Sequence, residues 1–142
     1  MGDIYHITPY FNKFIYHCDL YYKQGDPMIK INDIKVNKTN PEVTNLFLQF
    51  ECEGVNEERC DFLKDRLDTY KHYIDNEYSL EYEMEHNEFA ERLLIGINIS
   101  IPDHLIPKDF EEGSDLIIEQ IKLFRNFYEA QNEIYKKSNL PN

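Results

Sequence analysis

Between Tyr78 and Ile101 the chain alternates apolar and polar residues twice over. Tyr78, Leu80, Tyr82 and Met84 are interleaved with Ser79, Glu81, Glu83 and Glu85. After a turn around His86–Glu88, Leu93, Ile95, Ile97, Ile99 and Ile101 are interleaved with Leu94, Gly96, Asn98 and Ser100. Successive side chains on a strand point to opposite faces, so each run predicts one buried and one outward face, and the pair predicts an antiparallel hairpin. Ile29, Ile31, Ile34 and Val36 predict another strand, in which the step from Ile31 to Ile34 breaks the period; a bulge near Asn32–Asp33 would restore it. Residues 45–52 fit two templates. Leu46, Leu48, Phe50 and Cys52 make a strand face, whereas Val43, Leu46, Phe47 and Phe50 make a helical one, and the alternation ending at Gly54 favours the strand.

Three stretches carry helical spacing instead. Thr8 and Pro9 suit a cap and first helical position, Tyr10, Phe11, Phe14, Ile15, Cys18, Tyr21 and Tyr22 follow at helical intervals, and Gly25 supplies a stop. Asn56 caps a second helix with Glu57 and Glu58 in its first turn, Cys60, Leu63, Leu67, Tyr70 and Ile74 as its buried stripe, and an end at Asp75-Asn76. Ser114 is placed to cap a third, running to about Lys137. This last helix has a broad apolar arc of two stripes: Ile117, Ile121, Phe124, Tyr128 and Tyr135, then Leu116, Leu123, Phe127 and Ile134. The predicted order is α-β-β-α-β-β-α. It corresponds to a single α+β domain over residues 1–142, with a mainly antiparallel four-stranded sheet and about three helices packed chiefly on one face.

Composition sharpens this picture through charge. The 142 residues are 42% hydrophobic and 14% aromatic, enough for a real core, yet the net charge is −12 with a pI near 4.7. The asymmetry is regional: five lysines face four aspartates through residue 40, and ten basic side chains face 23 acidic ones after it. Such a field opposes docking on phosphates or on anionic membranes and favours a basic partner. No charged leader precedes an apolar run, and none approaches spanning length, so a cytoplasmic protein is expected, in the host cytoplasm if it is phage-encoded. Three cysteines, Cys18, Cys52 and Cys60, show no metal or redox spacing and are expected to be reduced.

The row Glu81, Glu83, Glu85 is the sharpest candidate site. Same-face residues on a strand stand about 6.8 Å apart, so three carboxylates line up on one side of the sheet, with Glu88 in the following turn. A strip of this kind suits a Lys/Arg-rich groove; its bland alternative is a solvated sheet face neutralised by Lys64 or Lys71. Glu51, Glu53, Glu57 and Glu58 form a second patch around the Gly54 turn, which would merge with the first if Glu51 and Glu53 shared its sheet face. The second stripe of the last helix, Leu116, Leu123, Phe127 and Ile134, would either pack on the first helix or form a homodimer interface.

Other chemistries lack their motifs. The five histidines show no zinc-type spacing, no serine stands in a nucleophile elbow, and the glycines form no phosphate loop. No cofactor and no metal are expected. The expected function is therefore a non-catalytic acidic protein that occupies a basic, nucleic-acid-binding surface of a protein or nucleoprotein, without touching nucleic acid itself. Phage-encoded inhibitors of host defence nucleases, anti-CRISPR proteins among them, have this character. Immunity proteins and antitoxins that neutralise a basic toxin share it, and a small enzyme or small-molecule binder with a pocket between sheet and helices is the alternative of a different class.

Overall fold

A computed structural model describes residues 3–6, 28–40, 42–107 and 110–138. Five strands form one antiparallel sheet: β1 (Asp3–His6), β2 (Met28–Asn40), β3 (Val43–Glu53), β4 (Ser79–Asn87) and β5 (Arg92–Pro102), in the spatial order β1-β2-β3-β5-β4. Two α-helices are described, α1 (Glu57–Arg66) and α2 (Phe110–Ser138). The architecture is α+β as the sequence predicts, with one strand more: Asp3–His6 is too short to carry a readable alternation, and it joins the sheet by pairing with residues 35–38 of β2. The helix expected over residues 8–25 lies outside the described residues. Among the described residues no helix is long and apolar enough to cross a membrane.

The hydrophobic patterns place the core on one face of this sheet. Buried and half-buried residues alternate without a break along β3, with Thr44, Leu46, Leu48, Phe50 and Cys52 inside. β5 contributes Leu93, Ile95, Ile97, Ile99 and Ile101 to the same face. In β2 the register steps from Ile31 opposite Phe50 to Asp33 opposite Gln49, which leaves Asn32 as the extra residue of a bulge. The bulge turns Ile34 to the side already occupied by Ile29 and Ile31, and all three are buried. Locally, the Asp33 carboxylate accepts the Ile34 N–H at 2.9 Å and Asn32 donates to the Gln49 side chain.

Both helices cover this face. In α1 the Asn56 side chain accepts the Arg59 N–H at 2.9 Å, satisfying one donor of the first turn. The chain then tightens into a 3₁₀ turn over Leu67–His72, where Leu67 and Tyr70, three residues apart, stack on one side, and the Thr69 hydroxyl bonds the Arg66 carbonyl. The stripe Cys60, Leu63, Leu67, Tyr70 and Ile74 is buried as predicted, although its second half is 3₁₀ and turn rather than α-helix. The last helix begins at Phe110, four residues before the predicted cap at Ser114. Its Phe124 stacks on Phe50 of β3 at 4.5 Å and meets Tyr70 edge-on at 5.2 Å. Phe127 is fully buried against Tyr70 and Tyr73.

One feature of the helix pair is polar. Arg59 and Arg66, seven residues apart on α1, reach Asn132 and Gln131 of α2, and the Arg59 guanidinium lies 5.2 Å from the Tyr135 ring. Gln131 and Asn132 are buried, and the two half-buried arginines of α1 cover them along this seam.

Candidate functional site

The outward face of the sheet is assembled from the alternate residues that the core does not use. β4 supplies Glu81, Glu83 and Glu85, paired in register with Asn98, Gly96 and Leu94 of β5. Those three stand in turn opposite Phe47, Gln49 and Glu51 of β3, and Glu51 stands opposite Lys30 of β2. The two acidic patches therefore share one face. They differ in electrostatics. Glu51 is bracketed by Lys30 at 2.9 Å and Arg92 at 3.3 Å and retains 14% side-chain exposure. The carboxylate beside Lys30 holds that ammonium's pKa above its ordinary value. Glu51 is thus internally neutralised, with Glu53 half-buried next to it.

The β4 row is not neutralised. Glu81, Glu83, Glu85 and Glu88 are all exposed and form no ion pair among the described residues. Neither Lys64 nor Lys71 reaches them, and Arg59 and Arg66 are committed to α2. Among the described residues β4 is the edge of the sheet, and the row lies along it. Charged side chains on an edge discourage another strand from adding there, which is a structural role the row serves whatever else it does.

On its inner side β4 is anchored by two polar contacts. The Tyr82 hydroxyl donates to Asp68 at 2.6 Å, and this bond raises the phenol pKa. His86 bonds the Val55 carbonyl at 2.7 Å through Nε2, and since a carbonyl only accepts, that nitrogen carries the proton. The Val55 N–H in turn donates to the Glu91 carbonyl at 2.8 Å, so one residue clamps both ends of the hairpin turn. Glu91 sits at φ +49°, in the left-handed region.

That turn projects Phe89, which is fully exposed. It belongs to the apolar set of neither strand, and an aromatic in the turn between two alternating runs is itself a legible signal in the sequence. Glu85, Glu88, Arg92 and Leu94 surround it in an open groove of about 650 Å³ at the hairpin end. A second groove, about 420 Å³, runs between α1 and β4 past Glu57, Cys60, Lys64, Tyr82 and His86. Burial pushes the Cys60 thiol pKa up, the opposite of what a nucleophilic thiolate needs. Cys52 and Cys60 are both free, and no group of three or more metal-ligating side chains comes together among the described residues.

The second stripe of the last helix is split by the fold. Phe127 is in the core, Leu116 and Leu123 are half-buried, and Ile134 is exposed. The four do not form one exposed surface. No family model matches the chain, and neither does any curated protein or solved structure.

Proposed function

We propose that this chain is a non-catalytic binding protein that covers a basic, nucleic-acid-handling surface of another macromolecule with the acidic edge of its sheet. The observation that carries this reading is the unpaired row Glu81, Glu83, Glu85 on one face of β4, continued by Glu88. In a protein that neutralises Glu51 with two cations and engages two arginines between its helices, this row keeps its charge for the outside. Long-range attraction would steer the encounter, and Phe89 at the hairpin tip offers an aromatic anchor beside the charges. A phage-encoded inhibitor of a host defence nuclease, of the anti-CRISPR kind and acting in the host cytoplasm, is the setting that fits best. An immunity protein against a basic toxin would use the same surface.

The test compares the wild-type chain with a Glu81→Gln, Glu83→Gln, Glu85→Gln variant as immobilised bait in bacterial lysate, at low and moderate salt. Capture of a basic protein by the wild type alone, weakened by salt and blocking that protein's nucleic-acid binding, is the expected outcome. Phe89→Ser should lower retention without changing its salt dependence. Equal capture by wild type and the glutamine variant would overturn the reading.

A further inference from the structure

β4 is nine residues long and pairs with β5 in unbroken register, from Ser79 opposite Ser100 to Asn87 opposite Arg92. Among the described residues nothing pairs with its other side. Tyr82 stands opposite the buried Ile97 and faces the core side of the sheet, yet it is 38% exposed. A strand with neighbours on both sides hides its inward residues, so this exposure marks an open edge. An open strand of this length without a bulge is a template on which another strand can add.

The groove between α1 and β4 opens onto that edge. Its lining takes in Tyr82 and Met84 from the inward face and Glu83 from the outward one, so it wraps round the strand. At about 420 Å³ it exceeds twice the ~150 Å³ of a cavity that holds a benzene ring, which leaves room for more than one aliphatic side chain. Same-face side chains of an added strand would enter it at steps of about 6.8 Å. Cys60, Met84 and the Tyr82 ring supply an apolar lining, while Glu57, Asp61 and Glu88 outnumber Lys64 around it.

A second copy of the chain suits this edge poorly. Two β4 strands paired antiparallel would set glutamate against glutamate, and like charges directly opposite one another are destabilising. The row that turns away a like strand selects one of opposite sign. We propose that the β4 edge receives an extended segment of the partner in which lysine or arginine alternates with aliphatic residues. The basic side chains would lie across from Glu81, Glu83 and Glu85, and the aliphatic ones would enter the groove against Tyr82 and Met84. The segment's backbone would bond the open side of β4. This rests on the reading that the acidic face meets a basic partner, and it names the form in which that partner is recognised.

The isotope-labelled full chain is titrated with three probes: blocked Lys-Val-Lys-Val-Lys-Val-Lys, its block isomer Lys-Lys-Lys-Lys-Val-Val-Val, and decalysine. Amide chemical shifts and amide hydrogen exchange are the readouts. The alternating peptide should bind about five- to tenfold more tightly than its isomer, as expected of a few well-placed cross-strand pairs. At saturation it should slow exchange at every second amide of residues 79–87 by about tenfold or more and leave β5 unchanged. Glu81→Lys combined with Glu85→Lys should remove the preference; both side chains are exposed, so the core is untouched. Equal binding of the two isomers, or binding that leaves exchange in β4 unchanged, overturns edge docking. If the block isomer or decalysine still shifts the amides of the Glu81–Glu85 row in that case, the acidic-face reading stands alone. If no probe shifts that row, both are overturned.

Discussion

Glu91 is a residue whose backbone is held from both sides against its own preference. Its N–H bonds the Glu88 carbonyl at 3.3 Å, its carbonyl accepts from Val55, and its φ of +49° lies where an L side chain is crowded. Glycine relieves that crowding, at some cost in unfolded-state entropy. Glu91→Gly should therefore raise stability by up to about 1 kcal/mol, read as a higher urea midpoint with an unchanged slope. A second prediction at this scale concerns pH. The phenol pKa values of Tyr70, Tyr78 and Tyr82 are all raised, the first two chiefly by burial and the third by its bond to Asp68. A raised folded pKa means that the unfolded chain releases the proton first. The stabilisation is complete below the ordinary value near 10.0 and is lost as pH climbs above it. Burial likewise raises the Cys52 and Cys60 thiols above their ordinary 9.0, so the urea midpoint should hold to about pH 8 and then fall, with late-titrating tyrosine absorbance at 295 nm appearing together with unfolding. Tyr82→Phe should make that fall shallower.

At the scale of elements the decisive signal is the period of apolar residues. The two halves of the β4–β5 hairpin were legible because each alternates over many residues, and β3 because Leu46, Leu48, Phe50 and Cys52 outweigh a competing helical reading once a neighbouring strand is available on each side. The bulge was legible from a single slipped step in β2. It yields a sharp test: deleting Asn32 leaves Ile29, Ile31, Ile34 and Val36 in strict alternation and should preserve the fold, whereas deleting Lys35 drives Val36 to the outer face. The second deletion should cost about 2 kcal/mol or more, measured by chemical denaturation. What could not be read were features that depend on distant partners. The early start of α2, the 3₁₀ ending of α1's stripe and the arginine–amide seam between the helices leave no periodic trace. The site was half legible: spacing alone placed the glutamate row on one face, but only the strand order shows that Glu51 shares that face and is neutralised there.

For the whole molecule, the opposing electrostatic terms differ in size. In the ion pairs Lys30–Glu51, Lys35–Asp33 and Arg92–Glu51 the cation is 42–56% exposed, and pairs so open to solvent contribute little. Against them stands a net charge of −12. Residues along the β4 row stand about 6.8 Å apart, inside the ~10 Å screening length at 0.1 M salt. Salt screens that repulsion, and raising sodium chloride from 0.01 to 0.5 M should raise the melting temperature by a few degrees. A fall over the same range would mean that the Lys30–Glu51–Arg92 ladder outweighs the rest.

The strict alternation of burial along β3, followed in β5 except at the buried Gly96, also separates two kinds of inheritance. Inward residues carry the instructions for folding, and outward ones are close to free of them. Substitutions at 47, 49, 81, 83, 85 and 98 can accumulate without repacking the core, so the surface is open to rapid revision on a fixed frame. A protein built this way can follow a target that alters its own charge pattern, and a library randomised at those six positions on an unchanged scaffold would be a direct source of binders with new specificity.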